Sequence, residues 1–499
     1  MPVRRLIFSA IAISSSALAV AQDAVPPSPL SPAPKIAGDI HVDPATGIDS
    51  NDGRTAPVKT IARAIKLSKP GDTVHLARAT YFESLDLSLK HGEPGRPITV
   101  DGHGSTLEGS EPVRASDWEN LGNGLYRKVK LMPRMDDAML ARWFFLWGNK
   151  MNRMGRGAKG PIAPLKKPAE LAENEWTYLK DEDAFYLRVP AGPGLDAAGV
   201  RYPARSNAVA FGGNGSHLVV RNITVTHVYN DGYNVHGAQR SLVFENIAAI
   251  ECGDDGFSAH EDGDCRIHGF VSIGNATGLC DTGTSRTYYK DVFIKDCVSY
   301  DLFFIGADHS LEDALVESSS QRAFSLDGSR LASGQVCTLR MRNVLLRRTG
   351  EGPQEMRIGR AGAVDAERCT IDGLAIQVTP GGSAAFRHCL VGGTPKPAIT
   401  LWANTLWRAE GNVYDVISIR VDKTFFAPEK FADFQRLMGG DAGSQMGPLS
   451  APDAGIGADE ASLKKLRPPA TSPDSATFHG LPPQPPCPAG PPVPTSTPA

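Results

Sequence analysis

From about residue 202 onward, short apolar runs alternate with single polar or turn residues. The segments "HLVVRNITVTHV", "SLVFENIAAIEC", "DCRIHGFVSIGN", "DVFIKDCVSYDL", "TLRMRNVLLRRT", "VDAERCTIDGLA" and "AAFRHCLVGGTP" align with Asn222, Asn246, Gly269, Asp296, Asn343, Arg368 and His388 in register. The next residues are Ile223, Ile247, Phe270, Cys297, Val344, Cys369 and Cys389. The pattern recurs every 20 to 30 residues, and "LEDALVESS" fills the doubled gap between Asp296 and Asn343 at Asp313-Ala314. Each rung offers four to six β-favouring residues between Gly, Asn and Asp turns, which builds a solenoid of short strands. Helical repeats would need two amphipathic helices per period, and a β-propeller about 40 to 50 residues per blade. The expected fold is all-β: a right-handed, single-stranded parallel β-helix over residues 202–424.

The pattern changes on either side. "TAPVKTIARAIKLSKPGDTVHL" predicts a short amphipathic helix with Ile61, Ala64, Ile65 and Leu67 on one face, stopped by Pro70-Gly71 before a strand. Residues 38–112 then form an N-terminal cap and the first coils. Residues 113–201 interrupt the repeat with aromatic-rich segments such as "ENEWTYLKDEDAFYLRV", where two strands flank an acidic turn, and predict an inserted small β subdomain. Trp143, Trp147 and Trp176 fall in it and are expected in its core. Within a cap segment, 425–465, a second helix is expected from Pro428 to about Met438, ended by Gly439-Gly440. Residues 22–37 read as a Pro-rich linker and 466–499 as a Pro-rich disordered tail. Residues 1–21 read as a secretory signal: Arg4 and Arg5, an apolar stretch from Leu6 to Val20, then Ala19-Val20-Ala21. The expected location is secreted, periplasmic or cell-surface, with no integral membrane span.

Composition narrows the function. The chain has 499 residues, 51 Gly and 38 Pro, and a formal charge of −3, which offers no basic surface for nucleic acid. A monomer is expected. None of its eight cysteines forms the close CxxC pair of a structural zinc site, and several occupy apolar interior positions of the repeat.

Against this balanced background, "CGDDGFSAHEDGDC" packs five acids and a histidine into residues 252–265. One rung earlier, Asp231-Gly232-Tyr233-Asn234-Val235-His236 matches Asp255-Gly256-Phe257-Ser258-Ala259-His260. Strand alternation points Tyr233, Val235, Phe257 and Ala259 inward, and stacks His236 on His260 about 5 Å away, with Thr282 next in the column. The turns bring Asp231 beside Asp254 and Asp255. Three clustered carboxylates need a compensating cation or shared protons, and oxygen donors on turns suit calcium. Asp before Gly is also favoured turn chemistry. His236 and His260 are candidates for proton transfer or a structural ladder. His309 and Asp327 are expected on later rungs of the same face, as ordinary surface residues.

The opening "VDPATGIDSNDGRTAPVKTIARAIKLSKPGDTVHLARATYFESL" resembles the N-terminal pattern of right-handed β-helix proteins of the pectate lyase superfamily, a fold that hosts several chemistries. Asn230-Asp231-Gly232 and Asp254-Asp255-Gly256-Phe257-Ser258 are similar to the calcium-site motifs of family-nine polysaccharide lyases. That resemblance implies Asp231, Asp254 and Asp255 as calcium ligands. The family's fourth acid is replaced by Ser258, and its catalytic lysine is not matched at Gly278-Leu279-Cys280. The expected activity is calcium-assisted β-elimination on an acidic, uronate-containing polysaccharide, with His260 or His236 as base. The alternatives are a glycoside hydrolase with Asp255 as acid and Asp231 or Asp254 as base, and a non-catalytic glycan-binding or cell-surface protein.

Overall fold

The computed structural model describes residues 38–468, except 161, 193, 321, 352–353, 403 and 449–455. The signal and linker expectations, and nearly all of the C-terminal tail, fall outside the described residues. Gly38 onward is a parallel β-solenoid whose rungs build one sheet of 17 strands and one of 12. Strand pairs run parallel from rung to rung, as in Tyr233↔Phe257, Phe257↔Leu279 and Leu279↔Leu302, until an antiparallel pair, Ile419–Val421 with Thr424–Phe426, closes the smaller sheet.

The long strands of the larger sheet bend in mid-course at a residue with positive φ: Asn222, Asn246, Gly269, Asp291, Asp313 and Asn343, at φ 52–77°. Gly, Asn and Asp visit this region most cheaply, which is why these rungs keep them there; on the later rungs Arg368 and His388 adopt the same conformation. Their side chains add rung-to-rung bonds: Asn246 Nδ2 donates to Asn222 Oδ1 at 2.8 Å, and Asn343 Nδ2 to Asp313 Oδ1 at 2.7 Å. One assignment needs correcting. Register places Asp291, not Asp296, in this column, because Lys290 and Val292 stand opposite His268 and Phe270. Asp296 belongs to a second bend, with His227, Glu251 and Gly274, that also demands positive φ.

Inside, aromatic rings stack from rung to rung. Tyr233 and Phe257 lie 6.1 Å apart, and Phe244, Phe270 and Tyr289 meet them edge-on. The seven described cysteines are buried and unpaired, behaving as small apolar fillers. The helix Ile61–Leu67 is capped by Thr60, whose side chain accepts from Arg63 N, and buries Ile61, Ala64 and Ile65. The second helix spans Phe431–Met438 and ends at left-handed Gly439. Leu463 and Leu466 return to cover an outer apolar column, Ala248, Val271, Phe293, Leu315 and Leu345.

Residues 113–201 supply most of two small antiparallel sheets with their own core, in which Trp143, Phe145, Trp176 and Phe185 are buried. The subdomain leans on the solenoid where the candidate acids lie. Buried Arg153 donates to the carbonyls of Cys252, of Gly253 at 2.9 Å and of Gly274 at 3.1 Å. No described helix is long and apolar enough to cross a membrane.

Candidate active site

The backbone turns before the strands Tyr233–Val235 and Asp255–Ala259 bring Asp231 under Asp254 and Asp255. All three acids are at most 3% exposed. Asp231 accepts from Asp255 N at 3.1 Å, Ser258 Oγ at 2.9 Å and the Asn234 amide. Asn234 and Ser258, expected to face outward, do so beneath the insertion and are buried.

The cation that three acids demand comes from residues that sequence reasoning missed. Lys159 reaches from the insertion and places Nζ 2.7 Å from Asp254 Oδ1 and 2.6 Å from Asp255 Oδ1. Arg142 Nε lies 2.9 Å from Asp254 Oδ2. Cys280, which stands opposite Ser258, lies close to this group as a neutral thiol, since burial raises it well above the ordinary thiol range.

These neighbours drive the acids apart. Burial, then the charge of Asp254, pushes Asp255 well above the ordinary carboxylate range. Burial would raise Asp254 too, but the charges of Lys159 and Arg142 and a hydrogen bond with Asp255 hold it below. Asp231 is raised by burial and by Asp254. Burial would lower Lys159, but Asp255 and its neighbours raise it, so it stays an ammonium and cannot accept a proton. The two acids are thus driven in opposite directions, Asp254 toward the charged form and Asp255 toward the neutral one.

His236 and His260 stack with ring centres 4.1 Å apart and planes within 6°. His236 Nδ1 lies 3.1 Å from Glu261 and His260 Nδ1 2.9 Å from Thr282 Oγ1. Burial and His236 lower His260 to about 4, so it is neutral at neutral pH. One ligand atom each from Asp231, Asp255 and His260 lies within 4.8 Å of the others, whereas Asp254 points to Lys159 and Arg142. Calcium takes oxygen ligands. With a ring nitrogen in the set and Lys159 Nζ between Asp254 and Asp255, the site as arranged suits an ammonium better than calcium.

His309 is not on this face. It is fully buried inside the solenoid, with Nδ1 2.8 Å from Thr287 Oγ1 and 3.4 Å from Asp281 Oδ2. Asp327 caps a turn by accepting from Ser329 N.

Residues 45–90 match the family model described as "Protein of unknown function (DUF1565)". No curated protein matches the chain. Among solved structures, the chain is similar to XylC in complex with xylose, at 10% identity and TM-score 0.49, covering 83% of this chain and 86% of that one. It is also similar to a structure described as a glycoside hydrolase, at 11% identity and TM-score 0.43, covering 85% and 99%. A GH136 lacto-N-biosidase from Eubacterium ramulus matches at 12% identity and TM-score 0.33, covering 83% and 68%.

Proposed function

We propose that the protein is an exported carbohydrate-active enzyme that hydrolyses glycosidic bonds, with Asp255 as proton donor and Asp254 as its ionised partner. The observation behind this reading is that both carboxyls touch one ammonium, yet their surroundings push their proton affinities in opposite directions, Asp255 up and Asp254 down. Such a pair is what glycoside cleavage needs: an acid for the leaving oxygen and a carboxylate to stabilise or capture the positive sugar carbon. The outward column Ser258, Cys280, Phe303, Ser325, Arg357, Gln377 and Thr400 extends along the same sheet, a linear face suited to a chain-like substrate. Glycan-active proteins among the similar structures share the theme, but the carboxyl pair is what supports the proposal. Since the acids are buried, substrate reaches them when the segment carrying Lys159 lifts.

A second reading, β-elimination on a uronate polysaccharide, is favoured by His260. Its ring is neutral with Nδ1 2.9 Å from Thr282 Oγ1, and in the tautomer in which Nδ1 donates to that hydroxyl the other nitrogen is free to accept a proton. Calcium at Asp231, Asp254 and Asp255 would require Lys159 to withdraw. The two readings separate when neutral and uronate polysaccharides are assayed for new reducing ends and for ultraviolet absorbance, with calcium and with a chelator. Hydrolysis gives reducing ends without absorbance, survives chelation, and falls by about 100-fold or more in Asp255→Asn. A calcium-dependent rise in absorbance that His260→Ala abolishes establishes the lyase instead. Neither signal on any glycan, with sugar still bound, makes this a binding protein.

A further inference from the structure

We propose that Arg153 and Arg156 hold one tetrahedral oxyanion, a sulfate or phosphate group, in the cavity where the insertion meets the second bend of the solenoid. This site is separate from the carboxylate cluster and does not depend on the proposed hydrolysis.

Arg153 directly follows the short strand Lys150–Asn152. Arg156 N donates to Arg153 O at 3.1 Å, which closes a turn through Met154 and Gly155, both at positive φ, 52° and 67°. A turn sets its first and fourth Cα atoms within about 7 Å of each other, so the two cationic side chains start close together. Both border one cavity of about 440 Å³, walled on the solenoid side by Glu251, Gly274 and Val298.

The partners of these arginines point to a ligand. The side chains are nine-tenths buried, at 9% and 7% exposure, and arginine is rarely buried this far without a countercharge. A guanidinium has five N–H donors. Arg153 uses three, on the carbonyls of Cys252, Gly253 and Gly274, and Arg156 one, 2.6 Å from Ala163 O. Every acceptor is an uncharged main-chain oxygen, and Arg156 Nε bonds to nothing. Glu251 and Asp254 act on Arg153, and Asp137 on Arg156, only from longer range. Burial lowers Arg153 to about 10, so it remains a cation at neutral pH.

Glu251, the carboxylate in the wall, is engaged by buried His227, whose Nε2 lies 3.2 Å from it while Nδ1 lies 3.0 Å from Glu108. Two positive charges with spare donors call for a dianion bearing several oxygens, which phosphate and sulfate groups supply and which the planar guanidinium fork matches. The turn leads directly into Lys159. An anion tied to Arg156 therefore also holds the segment whose ammonium covers Asp254 and Asp255.

The test titrates full-length protein, freed of phosphate and sulfate, with inorganic phosphate, inorganic sulfate and glucose 6-sulfate by calorimetry. One equivalent is expected to bind and to protect residues 113–201 from limited proteolysis. Arg156→Gln should weaken binding by about tenfold or more and remove the protection. Glu251→Gln, which takes a negative charge out of the wall, should tighten binding severalfold. Arg330→Gln, at an exposed arginine on a later rung, should change neither. Arg153→Gln also loses three bonds that dock the insertion, so the decision rests on Arg156→Gln and Glu251→Gln, with circular dichroism reporting an intact solenoid. Tighter binding of glucose 6-sulfate than of free sulfate would identify the oxyanion as a glycan substituent, and the reverse order would identify the free ion. The proposal falls if no oxyanion binds at millimolar concentration, if Arg156→Gln binds as tightly as the wild type, or if Glu251→Gln leaves the affinity unchanged.

Discussion

Two groups of buried acids, one rung apart, are neutralised in opposite ways. Asp281 lies inside the solenoid among uncharged partners: Tyr289 OH at 3.0 Å, Thr287 Oγ1 at 2.6 Å and Ala259 N at 3.3 Å, with Thr287 passing on to His309. Burial raises it to about 7, and burial lowers His309 to about 3, so the network carries little charge at mildly acid pH. Asp254 and Asp255 lie at the outer edge, where the insertion brings Lys159 and Arg142 to them. The interior has no route for a solvated cation and uses hydroxyls. The edge receives its cations from a separate layer, so its charge balance depends on whether that layer is docked.

The largest expected effect comes from removing the docked cation. Lys159→Met leaves the acids without their ammonium, and breaking a buried pair from one side costs about 3–5 kcal/mol. Part of this is relieved by proton uptake at Asp254, which makes the loss smaller at low pH. Thermal melting across pH, with limited proteolysis of residues 113–201, should show a lower melting temperature and a loosened insertion at neutral pH. If the variant melts like the wild type, the ammonium is not what balances the cluster.

Asp281→Asn should act in the opposite direction. An aspartate raised from 3.8 to about 7 takes up a proton on folding, so it costs stability progressively as pH rises from about 4 to 7. The asparagine amide can donate to Thr287 Oγ1, which donates onward to His309 Nδ1, preserving the neutral network. The variant should match the wild type near pH 4 and exceed it by about 4 kcal/mol at pH 8, read from chemical denaturation at both pH values. Equal stability at pH 8 would mean that Asp281 is already ionised at little cost.

The interior was largely legible in the sequence, and the edge only in part. Strand alternation and the Asn and Asp bends follow from local backbone demands, so the rungs and the inward set Tyr233, Val235, Phe257 and Ala259 could be read directly. Asp296 was misaligned because a second bend makes the same demand for positive φ, so that an Asp before an apolar residue occurs twice in one rung. His309 reads from the sequence as an ordinary surface residue on a later rung, and only the fold shows its ring against Asp281 and Phe304. The acids and the stacked histidines of the site came from the repeat itself. Lys159 and Arg142 did not, because Lys159 lies 95 positions before Asp254 and no local pattern links them. The available signal was the unbalanced charge of three buried acids, next to an insertion segment, "RMGRGAKG", rich in Gly and basic residues.

The smallest effect concerns how that segment seats. Gly157 and Gly160 flank Lys159 and pass close to Ser299: a Cβ on Gly160 would stand 2.7 Å from Ser299 Oγ, and one on Gly157 3.0 Å. Ser299 is 1% exposed and its hydroxyl has no hydrogen-bond partner, so it can turn aside only within a packed pocket. Gly160→Ala should therefore cost about 1 kcal/mol by lifting the segment a few tenths of an ångström, partly offset by the stiffer unfolded chain. Ser299→Ala removes the clashing oxygen together with a hydroxyl that bonds to nothing. The double variant should recover most of the loss, a coupling that a double-mutant cycle on the melting transition measures. Additive effects would show that the segment rests elsewhere. Coupling would identify Gly157, Gly160 and Ser299 as the seat on which Lys159 closes over the acids, a contact with no counterpart around Asp281.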